Sequence, residues 1–340
     1  MASQMLDDFF DFSRPPNVRQ QRSLCTRRTR IAGGLLESAR GADAGLRGQG
    51  VHERLQLLRV RHGFVVNPNP PQGDYSDRRV VPPELRPGLT KIMNSTGLSM
   101  RLMLTALAVA QTKVKAGRHF KNSMAVRGTA AQGGGWVDLV AAKSKKTVGG
   151  ETSMSVNEKK ERQVKNALDR LAEVGMVELG GGRGIGRYNS FGLLEEGDYA
   201  GIRRDYTVPK ASERVVTLPG SFVTNGWMHL LEDSEIALLF MLSAGVGSVE
   251  TWPTVAIPAD DRNTIYGIGR ETFESHRMLA WLGLISVSEV GRHDDGRAVD
   301  YADDTKADLH RLTLRLEGFD KSAFDEVPAT ITRQLKRVGK

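Results

Sequence analysis

Four features of the chain place reactive residue types at spacings that chemistry uses. The segment LGGGRGIG (residues 179–186) has the glycine spacing of a turn that lets backbone approach a pyrophosphate. Tyr206 and Lys210 stand four residues apart, the spacing of an acid–base pair on one helix face. Aspartate pairs begin at positions 260, 294 and 303, and His276 lies on a half-apolar stretch. Context argues against all four. A cofactor-binding glycine turn opens a helix after a strand, and YNSF (188–191) does not start a helix. Pro209 would break a helix joining Tyr206 to Lys210. Aspartates in polar turns and at helix starts cap or solvate, and a histidine on a half-buried helix packs. The chain has no GxxxxGK[S/T] loop, no HExxH helix and a single cysteine, Cys25. The reading is therefore a non-enzymatic protein with no metal and no cofactor.

A different chemistry runs through residues 155–174. Asn157, Gln163 and Asn166 can pair with adenine edges and Lys160 with guanine, while Lys159, Arg162 and Lys165 suit phosphate. Lys143, Lys145 and Lys146 precede this stretch, and Arg183 and Arg187 follow it in the glycine-rich turn. The stretch by itself is nearly neutral, with five Lys+Arg against four Asp+Glu. The wider distribution is not. Residues 113–187 hold 15 Lys+Arg against 7 Asp+Glu, and residues 218–318 hold 8 against 16. A formal charge of +8 over 340 residues thus resolves into a basic half and an acidic half. With no cysteine pair and no apolar run long enough for a bilayer, the chain reads as soluble, cytoplasmic and nucleoid-associated, with no membrane partner.

The elements that must position these residues follow from periodicity. Residues 1–80 read as a disordered, arginine-rich extension and linker: apolar period is weak, and NPNPPQGD (67–74) is turn-rich. Residues 99–112 (SMRLMLTALAVAQT) predict a helix. Ser155 and Glu158 form a capping-box pair opening a helix to Val174, with Val164, Ala167, Leu168, Leu171 and Val174 on its inner face and Gly175 as its stop. A hairpin follows. In the acidic half, helices are expected at 233–243, 260–266 and 270–282, with strands near 255–258, 283–287 and 309–316. The expected division is 81–200, a linker at 201–215, 216–320, and a tail at 321–340.

The two halves repeat an order of helix, short element, helix, hairpin. RLAEVGMV (170–177) lies over MLAWLGLI (278–285), and YGIG (266–269) forms the turn of a helix-turn-helix across 260–282. In these features residues 85–318 resemble tandem winged-helix DNA-binding proteins, namely bacterial transcriptional regulators and plasmid replication initiators. The first unit departs by about 40 residues between its first helix and the next long one, and Phe273 sits one place off the usual apolar register. The resemblance implies an α+β, mainly helical fold. It also implies double-stranded DNA as partner, with the 155–174 helix in the major groove and the hairpin reaching the minor groove. The role expected is a sequence-specific regulator, with an initiator or a winged-helix protein-interaction module as alternatives. The acidic unit is expected to make a dimer, a protein contact or only weak DNA contact, with Arg270, His276 and Arg277 the only basic residues on its recognition helix.

Overall fold

Asn17 starts the first described helix of the computed structural model. Its side chain accepts from the Gln20 N–H at 3.0 Å, and the Gln20 side chain accepts from the Asn17 N–H at 2.9 Å, a reciprocal cap. The structure describes residues 15–73, 75, 79–94, 97–129, 134–142, 155–180, 186–197, 203–245, 254–288 and 311–339. The mainly helical α+β class expected from the sequence holds, with small antiparallel sheets.

The amino-terminal part overturns the disordered extension. Helix α1 (Val18–Arg30) passes through a π-helical break at Ile31–Leu35 into α2 (Leu36–Gly48). Gly34 turns that break with φ 103, a left-handed conformation open to glycine. Strand β1 (Leu57–Arg61) pairs antiparallel with β4 (Val215–Pro219), Leu57 opposite Pro219 and Arg61 opposite Val215. Leu58 and Val60 are fully buried. A Cβ at Gly45 of α2 would lie 2.4 Å from the Asp138 carbonyl oxygen, so this glycine sets a close helix–loop approach. Residues 18–65 are thus part of the fold.

Helix α3 (Ser99–Lys113) is buried along most of its length, as befits a helix apolar almost all round. Helix α4 (Val156–Glu173) begins at the expected cap: Glu158 N–H donates to Ser155 Oγ at 3.2 Å, and Ser155 N–H donates to Glu158 Oε2 at 2.6 Å. Val164, Ala167, Leu168 and Leu171 face the core. Gly175, at φ 75, ends the turn. Strands β2 (Val177–Glu178) and β3 (Gly192–Leu193) then pair. The pairing continues through bridges Leu194–Asp205 and Thr207–His119. Residues 203–207, expected as linker, therefore extend this sheet.

In the acidic half, α5 (Asp233–Ala244) is buried almost throughout. Next come α6 (Ala259–Thr264), α7 (Arg270–Phe273), α8 (His276–Trp281), β5 (Ile285–Ser288) and β6 (Arg311–Leu314). The one helix expected over 270–282 is two short helical segments. β5 pairs antiparallel with β6, and Val255 bridges Leu312 on the other side of β6. The expected tail is instead helix α9 (Ala323–Lys336), which buries Ala323, Val327, Thr330, Ile331 and Gln334. Phe319, just before it, stacks edge-on against Trp227 and Phe222, and Trp227 Nε1 donates to its carbonyl at 3.1 Å. One apolar core runs from Leu24 to Ile331 and joins both halves.

His229 is fully buried in this core, and neither ring nitrogen has a hydrogen-bond partner among the described residues. Burial, helped by Arg101 and His52, pushes its pKa down to about 3. A histidine depressed in this way favours the fold above its ordinary value of 6.5, and that contribution is lost as pH falls from there toward 3. His229→Leu is expected to remove this acid sensitivity. At pH 5 the difference is about 2 kcal/mol in urea unfolding free energy. Equal pH slopes for the two proteins between pH 7 and 5 would refute it.

Candidate nucleic-acid interface

Helix α4 is the element that the sequence singles out, and its geometry reorders the expected contacts. With Val164, Ala167, Leu168 and Leu171 buried, the opposite face centres on Arg162 and Asn166, both exposed. Asn157 is exposed in the first turn. Lys159, Lys160, Gln163 and Lys165 are half-buried on the flanks. Gln163 borders a groove of about 600 Å³ shared with Arg101, Ala141, Glu232 and Thr272. Lys160 and Gln163, expected on the outer face, thus stand to its side. Lys143, Lys145, Lys146 and Arg183 lie outside the described residues.

The root of the hairpin is tied to α4 by Asp169. Its carboxylate accepts from Arg187 Nη2 at 3.1 Å and from the Tyr188 hydroxyl at 2.9 Å. Burial, with Asp169 assisting, raises the Tyr188 pKa. The Lys165 ammonium and the Arg187 guanidinium sit 5.6 Å and 5.5 Å from the Tyr188 ring centre. Lys165 also pairs with Glu161 at 2.6 Å, and Arg127 reaches Glu161 at 3.8 Å. Lys165, expected on phosphate, and Arg187, expected in the minor groove, are therefore partly neutralised within the chain.

Beneath the sheet lies a charged hub that sequence reading missed. Arg61, at the end of β1, meets Glu213 at 2.9 Å, Glu196 at 3.1 Å and Glu195 at 3.3 Å. It also donates to the Thr207 carbonyl at 2.9 Å, and its backbone N–H donates to Glu196 at 2.9 Å. Burial pushes Glu196 up to about 7 against the opposing pull of Arg61. Tyr206 is buried with its ring 5.5 Å from the Arg61 guanidinium and accepts at its hydroxyl from Gln111 at 3.3 Å. Tyr206 lies in the extended segment 203–208, so it does not share a helix face with Lys210. No sequence motif carries this hub, since its members are spread from position 61 to position 213.

The second unit's expected DNA ligands are mostly enclosed. His276 is fully buried, its Nδ1 is 2.6 Å from the Phe273 carbonyl oxygen, and its ring stacks near that of Phe273. Arg277 is 5% exposed. Only Arg270 is exposed. Helix α1 lies against this face: Arg19 pairs with Glu271 at 3.2 Å and Glu274 at 3.7 Å. A groove between α1 and α8 is lined by Ser23, Leu24 and Arg27 on one side and Ser275, Met278 and Trp281 on the other. His276 and Arg277 are therefore removed as DNA ligands, because packing has taken their side chains.

Residues 113–129, counted in the basic half but not named as site residues, hold five Lys+Arg and no carboxylate. Lys113, Lys115, Arg118, Lys121 and Arg127 are all exposed. A local charge count over 17 residues would have found them. Among the described residues no group of three or more His, Cys, Asp or Glu is arranged to hold a metal ion, and no helix is long and apolar enough to cross a membrane. Compared with known protein families, curated proteins and solved structures, the chain matches none.

Proposed function

We propose that the protein binds double-stranded DNA through α4 and acts as a sequence-specific regulator built on two winged-helix units. The observation carrying this reading is α4 itself. A capped helix presents exposed Asn157, Arg162 and Asn166 ahead of a hairpin whose root is fixed to it through Asp169. The acidic half supports the architecture: α5, the Val255 bridge, α6, α7–α8, β5 and β6 follow in order, with β6 central in the sheet. That order is the one a winged helix requires. The acidic half is a scaffold in this reading, with α1 seated where a second reading helix would meet a groove.

Selection of genomic duplex fragments by the full chain, then titration against salt, tests the proposal. Log affinity for the best fragment is expected to fall with log salt by about 0.9 per phosphate contact. Arg162→Ala with Asn166→Ala is expected to cut the preference for that fragment over a scrambled duplex, by about 1–3 kcal/mol per lost base pairing. No enriched fragment and no salt slope would overturn DNA binding. An enriched site beside a promoter supports regulation, and repeats at a replication origin would overturn that role in favour of initiation.

A further inference from the structure

Three cations of α4 and the hairpin root have carboxylate partners, whereas the lysines at the far edge of the sheet form no side-chain ion pair among the described residues. Lys165, Arg187 and Arg170 pair with Glu161, Asp169 and Glu173. Lys113, Lys115, Arg118, Lys121 and Lys210 are exposed, and none of their side chains forms an ion pair among the described residues; the Lys210 backbone N–H donates to Glu213 at 2.9 Å. Of the nearby acids, Glu213 is engaged by Arg61, and Asp205 faces His119 at 4.0 Å.

Two of these cations share a cleft. Lys113 and Lys121 line a cleft of about 440 Å³ together with Gln49, Asn122 and Ser123, and no carboxylate lines it. Lys210 runs over Gly117, where a Cβ would meet its Cε at 2.7 Å, and Gly117 N–H donates to the Val208 carbonyl at 2.7 Å. Arg54, also exposed, reaches the Thr112 carbonyl at the end of α3 at 3.5 Å. A lysine in the last turn complements the helix dipole, which accounts for Lys113 and leaves the others unexplained.

We propose that this surface at the C-terminal end of α3 is a second, sequence-independent seat for the phosphate backbone of duplex DNA. The inference rests on the DNA-binding reading above and adds a contact separate from α4. Strand order places it across the sheet: β2 and β3, then residues 205–207, then residue 119. Three strand spacings separate β2, the strand that follows α4, from residue 119 by about 14 Å. That is less than one turn of duplex, about 34 Å, so one DNA segment can meet both. Val109, Val114, Phe120 and Met124 also line the cleft but none is exposed, and the exposed lysines around it suit phosphate rather than a lipid bilayer.

The test compares the full chain with Lys113→Ala/Lys115→Ala/Lys121→Ala on the selected fragment and on a scrambled duplex, across a salt series. The salt slope is expected to drop by about 2–3, with affinity at 0.1 M salt falling on the order of tenfold per lost contact. The loss is expected to be equal on both duplexes, and arginine at all three positions is expected to restore it. Arg162→Ala/Asn166→Ala, by contrast, should change the ratio between duplexes. A steep wild-type slope that the triple variant keeps would overturn this seat and leave the α4 reading intact. A loss confined to the selected fragment, or no rescue by arginine in a protein with unchanged thermal midpoint, would also overturn it. A wild-type protein with no salt-dependent DNA binding would remove the α4 reading first. Capture of an acidic protein with the DNA slope unaltered counts against the seat.

Discussion

Arg61→Met is expected to lower unfolding free energy by about 3–5 kcal/mol, the usual cost of stranding a buried charge. Arg61 is the only cation contacting Glu195, Glu196 and Glu213 in the described ion pairs, and the Glu196 side chain is fully buried. Methionine fills a similar length of chain, so the loss is electrostatic more than volumetric. The pH dependence separates the two causes. Glu196 already sits near 7, above its ordinary 4.5, because burial opposes its charge. Such a raised carboxyl favours the fold below its unfolded value, and that contribution is lost as pH rises through the folded value. Removing Arg61 removes the groups that pull the value down, so the carboxyl climbs further and the window of loss widens upward. Urea midpoints should therefore separate the variant from the parent more at pH 8.5 than at pH 5.5. Glu196→Gln in the variant background should recover part of the alkaline loss. A gap independent of pH, or a cost under about 1 kcal/mol, would count against an electrostatic hub. The hub holds β1 and Thr207 beneath the hairpin sheet, so DNA affinity should weaken alongside stability.

How far the chain was legible depends on whether a residue's partner is near in sequence. Local signals were readable: Ser155 with Glu158, the inner face from Val164 to Leu171, and Gly175 all lie within one or two turns of one another. The same holds for the order of elements in the acidic half. What failed was distant. Helix α1 has an unfavourable mean hydropathy, and one of its two buried residues is Arg27, whose partner Glu235 is 208 positions away. No periodic pattern signals a helix whose inner face includes a paired arginine. Strand β1 was missed for a related reason, since its partner β4 is about 160 residues on. For α4 the residue types were readable but the exposure was not. Gln163 and Lys160 fall beside neighbours contributed by other parts of the chain.

Arg27→Met is expected to release α1 from the rest of the fold, again at about 3–5 kcal/mol. Arg27 meets both Glu235 oxygens, at 2.5 Å and 3.0 Å, and donates to the Leu230 carbonyl at 3.0 Å. The two side chains are 6% and 4% exposed. Burial opposes both charges, raising the Glu235 carboxyl even as Arg27 pulls it down, so neither group tolerates losing the other. Glu235 also accepts from the Glu232 N–H at 2.8 Å, which ties the start of α5 to the same pair. Arg30–Glu232 and the Arg19 contacts to Glu271 and Glu274 remain in the variant, but these are more exposed and weaker. Trypsin reads the outcome directly, because exposed Arg22 and Arg28 lie on α1 and a docked helix resists cleavage. Cleavage there should quicken in Arg27→Met at temperatures where the parent is protected. Glu235→Gln added to Arg27→Met keeps the oxygen acceptor at the start of α5 and removes the stranded charge, so it should slow cleavage again. If Arg27→Met resists trypsin as the parent does, the ion pair does not anchor α1. If α1 is released, the α7–α8 face with Arg270 becomes open to solvent, and its acidic residues Glu271 and Glu274 should still keep it from phosphate.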